Sequence, residues 1–180
     1  MIYYIHGYLS SPDGTKGTLF EKTLKAQAIQ YRTCEPEDLV ISDCLKQIYD
    51  VIKDDPDVTL IGSSLGGLLA AETALHHEQV KRLILLNPAV IPPDVDVSRI
   101  TDMPQRILVD MQDPELFIKK IASDCLVFIG TQDTVVSNRW GIDFAKAQEA
   151  SVHFLHDDHQ LSTYLNDLPK YISRFLNQKH

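Results

Sequence analysis

The stretch Asp57-Val58-Thr59-Leu60-Ile61-Gly62-Ser63-Ser64-Leu65-Gly66-Gly67-Leu68-Leu69-Ala70-Ala71 decides the fold. Its first half is an apolar, partly β-branched run of the kind that fills a buried strand, and its second half is rich in strong helix formers. Between them stands Gly62-x-Ser64-x-Gly66, which reads as a nucleophile elbow. A serine hydroxyl is a weak nucleophile until a base takes its proton, and a tight strand-to-helix turn presents it to base and substrate together. Gly62 and Gly66 serve that geometry, because the arms of the turn can approach closely where no Cβ intervenes. A phosphate-binding loop would also join a strand to a helix, but it ends in Gly-Lys-Ser/Thr, and here Gly66-Gly67 runs into Leu68.

Such an elbow predicts an acid and then a histidine further along, each on a loop leaving the C-terminal end of a later strand. Cys125 to Gly130 is a short buried-strand pattern, and the loop after it carries Asp133. A helical stretch over Asn138–Glu149 leads to Ser151–Leu155 as a last strand, followed by His156-Asp157-Asp158-His159. The candidate triad is therefore Ser64, Asp133 and His159, with Asp133 orienting the imidazole and His159 acting as base. Asp157 and Asp158 stand directly before the histidine, and either could compete with Asp133 for it.

The rest of the chain alternates strand and helix, with strands expected near 2–5, 28–32, 57–62, 81–86, 125–129 and 151–155. These are short apolar runs without long polar alternation, which predicts a sheet covered on both faces. The expected fold is a three-layer α/β/α sandwich around a mostly or wholly parallel sheet of about six strands. Pro36 opens a helix expected to run to about Lys53, His76-His77 closes another, and Ile172, Phe175 and Leu176 stripe the last. Asn87 to Asp124 is the one long connection, broken by Pro88, Pro92, Pro93, Pro104 and Pro114. Residues 88–124 are expected to form a small cap. Leu108, Val109, Met111, Leu116, Phe117 and Ile118 could line an acyl pocket there, or simply anchor one short helix to the core.

At 180 residues and 44% hydrophobic content, the chain suffices for one sizeable core, so 1–180 is expected to be a single domain. A net charge of -8 without a basic stripe argues against nucleic-acid or anionic-membrane partners. No segment approaches the ~20 apolar residues of a membrane span, and no basic-then-apolar leader precedes the first strand. A cytoplasmic protein without membrane insertion is the expectation. Cys34, Cys44 and Cys125 are widely spaced and form no Cys-x-x-Cys pair, so they are expected to be reduced core residues. His153, His156 and His159 with Asp157 and Asp158 are metal ligands by type. Three-residue steps on a strand do not keep ligands on one face, and neither a metal nor an organic cofactor is expected. The oligomeric state is not legible.

His6-Gly7-x-x-Ser10-Ser11-Pro12, Ile61-Gly62-Ser63-Ser64-Leu65-Gly66-Gly67, Asn87-Pro88-Ala89-Val90 and Gly130-Thr131-Gln132-Asp133 together resemble the small bacterial YqiA-like esterases. The resemblance spans nearly the whole chain. It implies a minimal α/β-hydrolase fold lacking the first two strands of larger members, and esterase or thioesterase activity on small-molecule acyl substrates. Ser64, Asp133 and His159 fall on the triad positions. The loop His6-Gly7-Tyr8 falls on the family's oxyanion loop, so the backbone N–H groups of Tyr8 and Leu65 are the implied oxyanion donors. His6 would then brace the loop. The family commonly has glycine or asparagine just before the histidine, where this chain has Asp158. Two rival expectations share the fold: a non-catalytic binding or scaffold protein, and an acyltransferase using the same triad.

Overall fold

The computed structural model describes residues 1–178. Six strands, β1 (Ile2–Ile5), β2 (Gln27–Ala28), β3 (Val58–Ser63), β4 (Val80–Leu86), β5 (Asp124–Gly130) and β6 (Ser151–Leu155), form one sheet in the order β2-β1-β3-β4-β5-β6. Every neighbouring pair is parallel. Parallel neighbours need crossovers, supplied chiefly by α1 (Thr15–Leu24), α2 (Ile41–Ile52), α3 (Leu65–His76), two short helices α4 (Gln105–Asp110) and α5 (Glu115–Ile118), and α6 (Asn138–Gln148). The last helix is α7 (Leu168–Leu176).

Successive side chains of a strand point to opposite faces, and the core divides accordingly. Tyr3, Ile5, Leu60, Leu83, Leu85, Val127 and Ile129 face α2, α3 and α6. Tyr4, Ile61, Ile84, Leu86, Leu126 and Phe128 face α1 and α7 through Phe20, Leu168 and Ile172. On α2 the buried residues Ile41, Cys44, Ile48 and Ile52 recur at helical spacing, which is why that helix docks along one stripe. The chain leaves β1 toward β2 and then returns to the other side through β3. The strand order therefore reverses between β1 and β3, and the crevice beyond their C-terminal ends is where ligands bind in open α/β sheets.

Four expectations need correction. The strand expected at 28–32 is only Gln27–Ala28. Beyond it Ile29 still donates its N–H to Tyr4 O (2.8 Å), but the chain then leaves the ladder as Tyr31 and Arg32 turn inward. The helix expected from Pro36 is a 3₁₀ turn over Pro36–Asp38 followed by extended Leu39 and Val40, with α2 starting only at Ile41. Burying Leu39 completely requires that break. Cys34 is exposed, so only Cys44 and Cys125 belong to the core; all three are free. Finally, β6 is an edge strand whose first four residues are exposed, so the sheet is not covered along its whole width. No helix of the described residues is long and apolar enough to cross a membrane.

Candidate active site

Ser64 joins β3 to α3 with φ 56° and ψ −120°, a conformation that L-residues rarely adopt. The surroundings hold it there. Its N–H donates to Leu86 O (3.0 Å), and its carbonyl accepts from Gly67 N (2.9 Å) and Ala89 N (3.0 Å). The flanking glycines are dictated by close approach: a Cβ on Gly62 would lie 2.2 Å from Gly66 O, and one on Gly66 would lie 2.2 Å from Ile5 O. Leu65 opens α3, where a backbone N–H has no partner four residues back in the helix.

The loop after β5 brings Asp133 to the loop after β6. Asp133 Oδ2 lies 2.7 Å from His159 Nδ1, with the two side chains only 1% and 12% exposed. The other oxygen of Asp133 accepts from Val135 N (2.8 Å) and Val136 N (2.9 Å), so the carboxylate is aimed rather than free to swing. Asp157 and Asp158 do not compete for the imidazole. Asp157 accepts from the N–H groups of Asp158 (2.9 Å), Thr163 (3.1 Å) and Tyr164 (3.0 Å), and Asp158 accepts from Ser162 N and Oγ (both 3.1 Å). Burial pushes the Asp157 carboxyl up, but these backbone donors outweigh it and hold the carboxyl below its usual range.

Asn87, at the end of β4 with φ 44°, ties the two loops together. Its Oδ1 accepts from Gly130 N (2.7 Å) at the root of the Asp133 loop. Its Nδ2 donates to the carbonyls of Asp158 (3.1 Å) and His159 (3.0 Å).

The loop after β1 is braced from below. Arg32 donates through Nη2 to Tyr8 O (2.7 Å) and Ser10 O (3.1 Å), which fixes the peptide plane orientation around Tyr8. His6 stacks on Tyr31 at 4.4 Å between centroids, and its Nδ1 lies 2.9 Å from Gly7 O. Burial pushes the His6 pKa down, partly opposed by the Gly7 carbonyl, and its Nε2 is buried without a partner. A Cβ on Gly7 would sit 3.3 Å from Ser64 Cβ, so the loop lies directly against the serine.

A cavity of about 720 Å³ opens over these groups, and Ser64, Leu65, Gly7, Tyr8 and His159 all line it. Part of its wall is largely apolar, Ile91, Ile100, Met103, Leu108, Met111 and Trp140, with the carboxylate of Asp102 among them. Another part holds Ser10, Thr15, Lys16, Gln160 and Ser162. Of the expected cap-derived lining, Leu108 and Met111 reach the cavity. Leu116 and Phe117 pack into the core instead, because α5 rests on α3 and α6, while Val109 and Ile118 face solvent. Among the described residues no three His, Cys, Asp or Glu side chains are grouped to hold a metal ion.

The roles of three contributors escape a sequence reading, although Asn87 stands in the quoted Asn87-Pro88-Ala89-Val90 motif. Asn87 could be suspected from its place at a strand's C-terminal end and Lys16 from following the His6-Gly7 loop, but nothing in the pattern marks Arg32.

The fold is that of α/β-hydrolases. Est1E from Butyrivibrio proteoclasticus superposes with a TM-score of 0.80 at 20% identity, over 97% of this chain and 86% of that one. A putative hydrolase of the alpha/beta superfamily from Xanthomonas campestris pv. campestris superposes with a TM-score of 0.72 at 17% identity, over 97% and 96%. An esterase from Pyrococcus furiosus does so at 0.74 and 14%, over 97% and 81%. No curated protein matches the sequence. The family model that does match takes in residues 1–177, and by that match the chain belongs to UPF0227, an uncharacterised protein family.

Proposed function

We propose that this protein is a serine hydrolase that cleaves acyl esters or thioesters through Ser64, His159 and Asp133. The observation that carries the reading is the 2.7 Å contact between Asp133 Oδ2 and His159 Nδ1, on a cavity whose wall also holds the strained Ser64. A carboxylate on Nδ1 holds the proton there and leaves Nε2 as the basic nitrogen. His159 Nε2 takes the Ser64 Oγ proton as Oγ bonds to the substrate carbonyl carbon. The tetrahedral oxyanion is held by the N–H groups of Tyr8 and Leu65, and Asp133 stabilises the imidazolium. The imidazolium then protonates the leaving alkoxide or thiolate. A water molecule activated by the same nitrogen releases the acid and restores Ser64. Residues 88–124 act as the cap over the apolar arm. The structural relatives named esterases support the reading through their shared fold.

The test is labelling with a fluorophosphonate probe, together with turnover of a 4-nitrophenyl ester series, in wild type, Ser64→Ala and His159→Ala. Labelling of the wild type alone and a fall in kcat on the order of 10⁴- to 10⁶-fold in each variant are expected. A folded wild type that is neither labelled nor active would leave a binding protein. Acyl product formed on an added alcohol or thiol in preference to water would make it an acyltransferase.

A further inference from the structure

The cavity contains one cation that the proposed chemistry does not use. Lys16, in the first turn of α1, is only 7% exposed and yet lines the cavity. An ammonium has three N–H donors. The one hydrogen bond it makes among the described residues is to Gln160 Oε1 at 3.1 Å, and no carboxylate lies within ion-pair distance. Asp158 and Asp157, in the loop after β6, are the charged groups that face it. Both are aimed by backbone N–H groups of their own loop, and neither comes within ion-pair distance of the ammonium. The first turn of α1 contains no acidic residue, and Gly14 provides no side-chain cap, so the positive end of the helix dipole adds to the ammonium. The hydroxyl residues Ser10, Thr15 and Ser162 line the same cavity.

A buried ammonium with unmet donors is costly unless an anion completes it. In a chain of net charge -8, a substrate cavity that holds a desolvated cation near α1 and a largely apolar surface from residues 88–124, with Asp102 its one carboxylate, is a selective environment. We infer that Lys16 is a specificity-determining residue, and that the substrate carries a carboxylate-class monoanion on the part that lies toward α1, with its apolar part under residues 88–124. A single ammonium already faced by Asp157 and Asp158 has no surplus charge for a phosphate dianion, so a monoanion seated on its free N–H donors is favoured. This inference rests on the hydrolase reading for its turnover measurements and is independent of it for binding.

Burial pushes the Lys16 ammonium down to about 8, against the pull of Asp158 and Asp157. The cation is therefore present below pH 8 and lost above it, and the preference for an anion fades as pH rises through that value.

The experiment compares 4-nitrophenyl butyrate with mono-4-nitrophenyl glutarate, which carries a carboxylate on the acyl part, and 3-carboxy-4-nitrophenyl butyrate, which carries one on the leaving group. In wild type at pH 7 one of the two anionic esters is expected to exceed the neutral one in kcat/KM by about 10- to 100-fold, the scale of a hydrogen bond to a charged group. Taking ratios cancels the ionisation of the base. The ratio should fall toward one in Lys16→Met and between pH 7 and 9.5, and survive in part in Lys16→Arg. Trp140, the only tryptophan, lines the cavity and reports binding without turnover. Monoethyl glutarate should change its fluorescence in Ser64→Ala at lower concentration than diethyl glutarate does. Equal turnover of all three esters by wild type, or a Lys16→Met change common to all three, overturns the inference. Selective monoanion binding without hydrolysis or labelling would uphold the subsite and sink the hydrolase reading. Hydrolysis without anion preference would do the reverse.

Discussion

Ser64 sits at φ 56° because four chain segments converge on it: β4 through Leu86 O, the turn of α3 through Gly67 N, the post-β4 segment through Ala89 N, and the loop after β1 against its Cβ. Strain of order 1–3 kcal/mol persists at a residue only where its surroundings over-determine it. The same logic applies to Asn87, whose single amide holds the roots of both loops that bring Asp133 and His159 together. Asn87→Asp keeps the size and the acceptor but loses both donors to the Asp158 and His159 carbonyls. We expect it to lower kcat by about 10- to 100-fold with little change in KM, since a displacement of about 1 Å at a reacting group can cost 10²-fold. Steady-state kinetics on a neutral ester, with circular dichroism to verify folding, checks this; a rise in KM alone would assign Asn87 to substrate binding.

Contact between elements sets the site's geometry as firmly as any hydrogen bond. Where β3 enters α3, Gly62, Gly66 and Gly67 let the helix start against the ends of β1 and β4: a Cβ on Gly67 would stand 2.8 Å from Pro88 Cβ. Gly66→Ala forces α3 away from Ile5 O and His6 O and shifts Leu65 with it. Overpacking of this kind costs about 1–3 kcal/mol. The expected result is a loss of that size in chemical denaturation, accompanied by a larger fractional fall in kcat, because the displaced element carries Ser64, the proposed nucleophile. The segment 88–124 is held near its start and at its middle by arginines. Arg106 of α4 donates to the carbonyls of Leu39 (3.0 Å) and Glu37, and Arg139 of α6 pairs with Asp94 (2.6 Å). These bonds connect it to the break before α2 and to α6.

Across the whole molecule, the covered sheet leaves little room for charge, and Glu72 of α3 is a buried carboxyl. It is 7% exposed, and its Oε1 has no hydrogen-bond partner among the described residues. Burial, with a contribution from Asp113, pushes its carboxyl up to about 8. The folded state therefore keeps this proton up to pH 8, while the unfolded chain releases it near the ordinary glutamate value of about 4.3. The unfolded state binds fewer protons over that interval, so Glu72 makes stability fall as pH rises from about 4 to 8. Glu72→Gln should remove that slope, raising stability at pH 8 by about 1–3 kcal/mol and leaving it nearly unchanged at pH 4, as read from denaturation midpoints at the two values. An unaltered slope would place the pH dependence elsewhere.

The elbow, the order of Ser64, Asp133 and His159, and the alternation of strand and helix were legible because each depends on local pattern: apolar runs of strand length, helix formers at fixed spacing, glycines where backbones must touch. These determine the class of fold and which residues stand at strand ends. Only the tertiary structure decided which carboxylate meets the imidazole, since Asp133, Asp157 and Asp158 differ by how their oxygens are already engaged, a property set by loop packing. It also decided that β2 shortens, that Leu39 breaks the helix before α2, and that Phe117 and Leu116 leave the cavity for the core. Lys16, Arg32 and Asn87 acquire their places in the same way, because burial and unmet donors are properties of packed surroundings that no run of neighbours along the chain encodes.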